Sequence, residues 1–574
     1  MRSWTERYAD RFDYELAAFE QRGLKFDLDR ELLTEQGRVV LRGTLPRSTG
    51  SVDLEVRYPD LFPFVRPEVF ARNLTLKRHQ NPYDGNLCLL DRSSRAWAPS
   101  DTGAWLVAER VPLLLDLIED GDEAAMRAAE APQGEPLSTY FPSAVSTVVF
   151  IPEAALDLPQ EATIGSGRIA FGATEPPNVR LRGLLAELVE KKRNRKSRTL
   201  ATADADLLER FGGARIAFRW VRLDGPPDKN TPIALLEAIN TAAPGFGSPP
   251  WETVAGGQIA VCAAVFAEEV RQGDFEDTWV FVVQMRQNGG EGGRYIVHGD
   301  RISRADLSQR LPLYIGLDNA TVAVSGLGAL GSELTLELAK AMTKTIRGLD
   351  FDVVDVGTIV RWAGGLTAAG HLKTEYLRQR VAADYPYTKF DSFQLQIGAS
   401  AFHRASNTES ELDVIHEFLE SADLIIEASA EIGIQQALSA AAEELGMRQL
   451  FVWATEGAQG GAVALVDPTQ GGCWLCLQHH LDEGSIPLPA HDSPKTLQPR
   501  GCGNLTYRGA GFDLTPVVAQ AVRVAAGVLS ESSSIEGSTV HICSFPDRPG
   551  DPPEWTTYPI LERHDCPVCA ERQK

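Results

Sequence analysis

Two cysteine pairs, Cys473-Trp474-Leu475-Cys476 and Cys566-Pro567-Val568-Cys569, each set two thiols on one tight turn. Together they offer four soft ligands, the number and type that a tetrahedral zinc ion takes. The pairs lie 90 positions apart, too far for a zinc ribbon, so a shared Zn2+ would staple the C-terminus onto the body of the last domain. A redox pair is the competing reading of each CxxC. Four of the eight cysteines remain. Cys262 and Cys543 sit in apolar, strand-like runs and are expected in cores. Cys502, in Pro499-Arg500-Gly501-Cys502-Gly503-Asn504, has a glycine on each side. Small neighbours keep a thiol accessible to a large acyl group, and Arg500 would favour its thiolate. A buried structural cysteine is the other reading. Cys88 is taken up below.

A second constellation is Gly326-Leu327-Gly328-Ala329-Leu330-Gly331, a GxGxxG between a predicted strand (Thr321–Ser325) and a predicted helix (Ser332–Thr345). The first glycine allows the tight turn. The second lets backbone approach phosphate, and the third lets helix and strand pack closely. The helix N-terminus adds partial positive charge and unpaired N–H groups. Asp355 lies 24 positions past Gly331, at the end of the next predicted strand (Asp350–Asp355), where a carboxylate would accept ribose hydroxyls. The motif points to a nucleotide without choosing between ATP and NAD.

These groups need elements to position them. The 574 residues suggest about three to five domains. Residues 313–574 alternate strands with helices: Asp423–Glu427, Ile432–Leu445 and Leu450–Ala454 follow the first strand–helix unit. That alternation predicts a doubly wound parallel sheet of Rossmann type. Residues 1–140 show a helical pattern (Trp4–Arg22), strands at Arg38–Leu45 and Val52–Tyr58, a proline-rich stretch and a helix at Ala104–Glu119. A linker reads at Ala131-Pro132-Gln133-Gly134-Glu135-Pro136. Residues 141–312 carry strand-like runs at Ser146–Ile151, Ala214–Val221, Gln258–Val265 and Thr278–Met285, between glycine- and proline-rich loops. Lys191–Lys196 is a basic run, read as a solvated helix end or a docking patch for an acidic partner.

Composition limits the partners. Lys and Arg number 56 and Asp and Glu 78, a net charge of −22, which argues against nucleic acid as the main ligand. No apolar run approaches the ~20 residues of a membrane helix. Met1–Glu6 has no apolar signal segment. A cytoplasmic protein without a membrane partner is expected.

The glycine loop, the downstream acid and the two distant CxxC pairs resemble the ThiF/MoeB-type adenylation domain of ubiquitin-activating (E1) enzymes, over about 312–574. The resemblance implies ATP and Mg2+ as cofactors and adenylation of a C-terminal carboxylate on a ubiquitin-like protein. It also implies an Arg and a Gly-x-x-Lys on the ATP phosphates, matched here by Arg361 and Gly370-His371-Leu372-Lys373. Concentrated positive charge would stabilise the departing pyrophosphate. The family's Asp-x-Asp reads Asp355-Val356-Gly357, with a shortened connection to Arg361. Its Asp-x-(Thr/Ser)-Asp, which helps hold magnesium, reads Glu427-Ala428-Ser429-Ala430-Glu431; Glu427 or Glu431 would have to replace the carboxylate missing at Ala430. A cysteine near Cys502 takes the acyl group as a thioester in such enzymes. They form homodimers with an Arg given across the interface, for which Arg310 is the candidate.

Residues 38–120 carry a separate resemblance. Tyr58-Pro59-Asp60-Leu61-Phe62-Pro63-Phe64-Val65-Arg66-Pro67, then His79-Gln80-Asn81, Gly85-Asn86-Leu87-Cys88-Leu89 and Trp97-Ala98-Pro99 follow the series found in ubiquitin-conjugating (E2) enzymes. The resemblance implies an α+β conjugating fold, a thioester on Cys88, an oxyanion donor in Asn81 and a loop-ordering role for His79. The two halves together resemble bacterial E2–E1 fusions such as those of CBASS antiphage operons. Expected partners are then a ubiquitin-like protein or the C-terminus of a CD-NTase (a nucleotide cyclase-like enzyme), plus an amine on a target protein. The middle α/β segment would be an inactive adenylation-like domain. An NAD-dependent oxidoreductase fusion stays open because the glycine loop also fits a dinucleotide, and a non-catalytic scaffold because of Ala430.

Overall fold

The structure is a computed structural model. It describes residues 3–48, 50–76, 78–90, 96–119, 134–144, 147–171, 182–191, 197–211, 215–254, 257–287, 292–311, 316–398, 410–489, 496–497, 506–507, 509–530, 535–545 and 550–572. Two compact units divide the chain, Met1–Ser303 and Arg304–Lys574.

In the first unit, helices Trp4–Arg7 and Ala9–Gln21 replace the single expected helix, with a break at Tyr8, whose φ of −130° is not helical. Strands β1 (Phe26–Leu28), β2 (Val40–Arg47), β3 (Gly50–Arg57) and β4 (Glu68–Ala71) form an antiparallel meander in chain order. The proline-rich stretch leads from β3 to β4, so its exclusion from helix is met. The expected helix near residue 104 starts at Gly103 and runs to Glu119, with a π-turn over Leu106–Arg110. Pro112 has no N–H for the carbonyl four residues back, which is a cause of such a wider turn. Trp4, Phe19, Val56, Phe62, Val69 and Leu106 lie in the core between these helices and the meander.

The remainder of this unit corrects the α/β layout expected of the middle segment. It is a β-structure: β5 (Val148–Ile151), β6 (Ile164–Phe171), β7 (Arg182–Lys191), β8 (Ser197–Thr202), β9 (Arg215–Arg222), β10 (Glu252–Val254), β11 (Gly257–Arg271), β12 (Asp274–Gln287) and β13 (Gly293–Arg301). The sheet runs β11-β12-β13-β5-β7-β6-β9, and β9 pairs back onto β11, closing a barrel; β8 and β10 add to β7 and β11. Closure removes unpaired edges. Phe218, Trp220, Trp279, Phe281 and Val261 fill one face, while Cys262, Phe266 and Val280 on the other pack with Leu235 and Ile239 of the helix Pro232–Ala242. Cys262 is buried as expected. Most of the basic run, 192–196, lies outside the described residues.

The second unit is the doubly wound α/β sheet expected. Its strands are β14 (Thr321–Ser325), β15 (Thr345–Leu349), β16 (Lys389–Phe393), β17 (Leu424–Glu427), β18 (Gln449–Ala454), β19 (Gly460–Val466), a ribbon of β20 (Thr496–Leu497) and β21 (Thr506–Tyr507), then β22 (Thr539–Ser544) and β23 (Glu554–Pro559). The order is β16-β15-β14-β17-β18-β19-β22-β23, with the first five parallel and the rest antiparallel. Strand β15, which follows β14, lies on one side of it, and β17 on the other. Loops at the C-terminal ends of β14 and β17 therefore flank the topological switch point, where ligands of such sheets bind.

Helices Ala329–Lys340 and Gly511–Leu529 cover one face; Glu411–Leu419 and Ile432–Leu445 cover the other. Gly511–Leu529 corrects the expectation that no run approaches membrane-helix length, since its 19 residues pass by length and composition. Leu514, Val517, Val518, Ala521 and Ala525 are buried in the core against the sheet, so the helix is apolar because it is a core helix. Cys543 is buried as expected.

Candidate functional site

The glycine loop sits where β14 hands over to the Ala329–Lys340 helix, and its three glycines have three different surroundings. Gly326 has φ +80°, and a Cβ there would collide with the Ser429 backbone. A Cβ on Gly331 would collide with the Gly326 carbonyl oxygen. A Cβ on Gly328 would meet nothing within 4 Å. Gly326 and Gly331 are thus fixed by packing, while Gly328, the N-cap, faces open space without a side-chain cap. An uncapped helix start beside open space presents N–H groups to an anion.

The acid nearest this loop is not Asp355. Strand β15 ends at Leu349, earlier than the sequence suggests, and Gly326 N–H donates to the Leu349 carbonyl at 2.9 Å. The next residue, Asp350, accepts from Leu327 N–H at 2.8 Å through Oδ2 and is almost wholly buried. Lys373 Nζ lies 3.4 Å from Asp350 Oδ2 and 3.0 Å from Asp352 Oδ2, and begins the helix Lys373–Asp384. Asp352 is exposed and its carbonyl accepts from Lys373 N–H. Asp355 lies in an exposed turn beyond, where Oδ1 accepts from Gly357 N–H at 2.6 Å. Asp350-Phe351-Asp352 is the Asp-x-Asp that follows the second strand. The sequence hides it, because the apolar run past Leu349 reads as strand to Asp355 although the strand is Thr345–Leu349. With it in place, the connection to Arg361 is no longer short. Arg361 is half-buried beside Gly511, the first residue of the core helix. Trp362 Nε1–H donates to the Leu327 carbonyl at 2.8 Å, pinning the segment to the glycine loop.

From the other side of the switch point comes the Glu427–Glu431 turn. Glu427 ends β17, is fully buried, and accepts from Ser429 N–H at 2.8 Å through Oε1. Its Oε2 is buried with no hydrogen-bond partner among the described residues. Burial pushes its carboxyl up to about 7. Ala430 has φ +61°, a left-handed conformation that a methyl side chain disfavours. Glu431 is exposed and caps the Ile432–Leu445 helix through its backbone. The loop, Asp350, Asp352, Lys373 and the Glu427–Ser429 turn are thus brought to one end of the sheet.

The four cysteines of the CxxC pairs converge. Cys473 Sγ lies 3.9 Å from Cys476 Sγ and 3.5 Å from Cys566 Sγ, and Cys476 Sγ lies 3.5 Å from Cys569 Sγ. All four are buried, with their sulfurs within 4.8 Å of one another. Tetrahedral zinc with ~2.3 Å Zn–S bonds sets sulfurs about 3.8 Å apart, whereas a disulfide needs ~2.05 Å. The residues fit a zinc ion better than two redox disulfides. Burial raises the Cys473 thiol and pushes Cys569 up to about 12, so a bound cation would be what keeps thiolates there. Arg572 pairs with Glu443, and Arg563 with Glu483 at 2.6 Å, holding the C-terminal segment in place.

In the first unit, Cys88 is exposed, and its N–H donates to the His79 carbonyl at 2.7 Å. His79 has φ +61°; its N–H lies 3.0 Å and its Nδ1 3.3 Å from Glu135 Oε1. Gln80, where conjugating enzymes have proline, is buried and ties down the stretch that follows β4: Nε2 donates to the Ala71 and Leu74 carbonyls, and Oε1 accepts from Leu76 N–H. Asn81 Oδ1 accepts from Tyr83 N–H at 2.9 Å, so its side chain shapes the turn leading to Cys88. Cys502 lies outside the described residues; β20 and β21, which precede and follow it in the chain, pair with each other. Arg310 is exposed.

Residues 311–531 match the ThiF family. ThiF segments are the ATP-dependent part of adenylating enzymes, where a substrate carboxylate is joined to AMP. Over almost the whole chain, the protein is 31% identical to the uncharacterized protein y4oA of Sinorhizobium fredii across 553 residues, covering 92% of this chain and 91% of that one. It is 29% identical to the uncharacterized protein y4qC of the same organism, covering 90% and 89%. Among solved structures, Escherichia coli MccB with ATP shares 14% identity at a TM-score of 0.34, covering 45% of this chain and 68% of that one. PaaA gives 14% and 0.32. The chain belongs to the family of y4oA, with a ThiF adenylating segment in its C-terminal half.

Proposed function

We propose that the protein activates the C-terminal carboxylate of a partner with ATP and passes the acyl group through two thioesters to a target amine. The observation that carries the first step is the pairing of an open Gly328 with Asp350, Asp352 and Lys373 at the switch point of a ThiF segment. ATP would lie with its phosphates on the helix start, Lys373 and Arg361, and Mg2+ would draw on Glu427 or Glu431. Asp350 and Asp352 hold the Lys373 ammonium in place until phosphate competes for it. Asp355 keeps only a secondary role in nucleotide binding, because its carboxylate is engaged in its own turn.

Cys502 takes the acyl group from AMP, and Cys88 takes it from Cys502 by thiol–thioester exchange: one C–S bond forms, one breaks, and the released thiol regains a proton. Attack by the target amine then gives an amide and frees Cys88. Its exposure on the first unit suits a large acyl cargo and a macromolecular amine. The domain limits are 1–140 for an E2-like conjugating domain, 141–312 for the barrel segment and 313–574 for the activating domain with its zinc clasp. The partner is a ubiquitin-like protein or the tail of a CD-NTase, the setting is cytoplasmic antiphage defence, and the working form is a homodimer in which Arg310 is the candidate cross-interface contact.

The test is incubation of the full chain with ATP, Mg2+ and each candidate partner under non-reducing conditions. A dithiothreitol-sensitive adduct is expected at Cys88 and lost in Cys88→Ala. Cys502→Ala is expected to abolish every thioester but retain ATP–pyrophosphate exchange. Absence of exchange in the wild type overturns the activating role, and NAD binding without an ATP effect would replace it with redox chemistry.

A further inference from the structure

We propose that the barrel positions the Cys88 loop, with Tyr83 as its anchor and Glu135 and Glu269 as positioning residues acting through His79 and Arg78. This rests on the reading of Cys88 as the acyl carrier, and extends it by giving the barrel a task.

The loop from Arg78 to Cys88 is gripped by the barrel or the segment leading into it at three places. Arg78 Nη1 lies 2.5 Å from Glu269 Oε2, and Glu269, on β11, is only 6% exposed. The backbone and ring of His79 both meet Glu135 Oε1. The Tyr83 ring packs edge-on to Phe141, with centroids 5.7 Å apart, in the barrel's outer hydrophobic layer.

The gripping surface is itself built for the purpose. Glu268 and Glu269 are consecutive buried carboxylates at the end of β11, where neither serves the barrel's apolar interior. Glu268 accepts from Ser138 N–H and Oγ–H, both at 2.8 Å, and Glu269 also accepts from Gly273 N–H at 2.7 Å. The β11–β12 register slips between Glu269 and Arg271. Gly134 packs against that bulge so closely that a Cβ would collide with the Glu269 carbonyl. Bulges of this kind re-aim side chains at the rims of barrels. Here one fixes Glu135 and Glu269 toward the two residues that immediately precede Gln80. The path to the thiol is short, because the His79 carbonyl accepts the Cys88 N–H.

Tyr83 separates anchoring from mere polarity. Its hydroxyl is buried with no hydrogen-bond partner among the described residues, so the ring alone does the anchoring. Tyr83→Phe should then behave as wild type, and Tyr83→Ala should release the loop.

Hydrogen exchange on the full chain tests this. In Tyr83→Ala and Arg78→Met, the amides of Asn81, Gly85 and Cys88 should exchange at least about tenfold faster, while those of β2 and β3 stay unchanged and report an intact fold. Arg78→Lys and Tyr83→Phe should keep wild-type exchange. With acyl-Cys88 loaded, the same releasing variants should lower kcat for amine transfer about tenfold at unchanged KM for the amine. Unchanged exchange in both variants overturns the clamp whatever Cys88 does. Faster exchange with unchanged kcat overturns the positioning role. If the releasing variants show the exchange pattern but the wild-type chain never loads Cys88, the carrier reading is overturned and the clamp stands.

Discussion

The described cysteines fall into two opposite surroundings. Cys473, Cys476, Cys566 and Cys569 are buried with sulfurs within 4.8 Å of one another, closed in by core residues and by the C-terminal ion pairs. Cys88 stands exposed on a loop. Burial penalises a thiolate unless a cation compensates it, so the closed set is suited to structure and the open one to exchange chemistry. The same division of like residues into closed and open recurs at the glycine loop and in the Glu427–Glu431 turn. Each instance can be tested by substituting within a pair.

The largest effect belongs to the closed cysteines. Cys476→Ser or Cys569→Ser should lose a zinc ion per chain and cost about 4 kcal/mol or more in the second unit, on the order of 10 °C in Tm. Metal analysis and calorimetry read both. Cys88→Ser should shift stability by less than about 0.5 kcal/mol. A zinc-free chain of undiminished stability would break the comparison.

Glycine offers the next contrast. Gly331→Val should displace the helix from the strand, with a loss of about 2–4 kcal/mol and at least about a hundredfold in ATP–pyrophosphate exchange, because its side chain would enter the Gly326 carbonyl. Gly328→Ala meets open space, so its stability should stay within about 0.5 kcal/mol while nucleotide binding weakens. Equal losses of stability at both positions would erase the distinction between a packed and a ligand-facing glycine.

These contrasts also explain which parts of the chain could be read in advance. In the second unit, apolar parallel strands and amphipathic helices carry different periods, and Leu424–Glu427 and Ile432–Leu445 stand within a residue of their expected limits. The glycine loop and CxxC pairs were legible because their spacing is local. Asp350 was not, because a valine-rich stretch after Leu349 continues to look like strand although the chain has already turned. The barrel was illegible for another reason. Its closure depends on β9 meeting β11 in parallel, a non-local pairing that no turn signal announces. Gly134 and Glu135 read as linker residues, but Gly134 packs against the bulge in β11 and Glu135 meets His79, partners that no local spacing announces.

Two glutamates give the third test. Glu427 is buried and Glu431 exposed, four residues apart. With its folded pKa raised from 4.5 to about 7, Glu427 holds a proton in the folded chain that the unfolded chain has released between those values. Its contribution to stability is complete below about pH 4.5 and is lost as pH rises through about 7. The loss is at most about 3 kcal/mol at ~1.4 kcal/mol per pKa unit. Denaturant titrations from pH 5 to 8 should show this decline, and Glu427→Gln should flatten it. An identical pH slope in Glu427→Gln would show that its carboxyl does not titrate in this range.

The smallest effect lies between them, at Ala430. Its φ of +61° resembles the +80° of Gly326, but Gly326 has no Cβ and Ala430 does. A left-handed alanine costs roughly 1 kcal/mol relative to glycine, offset in part by the greater freedom glycine has when unfolded. Ala430→Gly should therefore raise stability by about 0.5–1 kcal/mol, read by denaturant unfolding. Ala430→Asp places a carboxylate in a conformation that Asp tolerates better than most residues, at the position where the resemblance to adenylation domains leads one to expect a magnesium-holding Asp. If Mg2+-dependent pyrophosphate exchange rises in that variant, the turn has kept the shape of a metal site while changing its ligand. If exchange is unchanged while Glu427→Gln or Glu431→Gln lowers it, the neighbouring carboxylate has taken over the role.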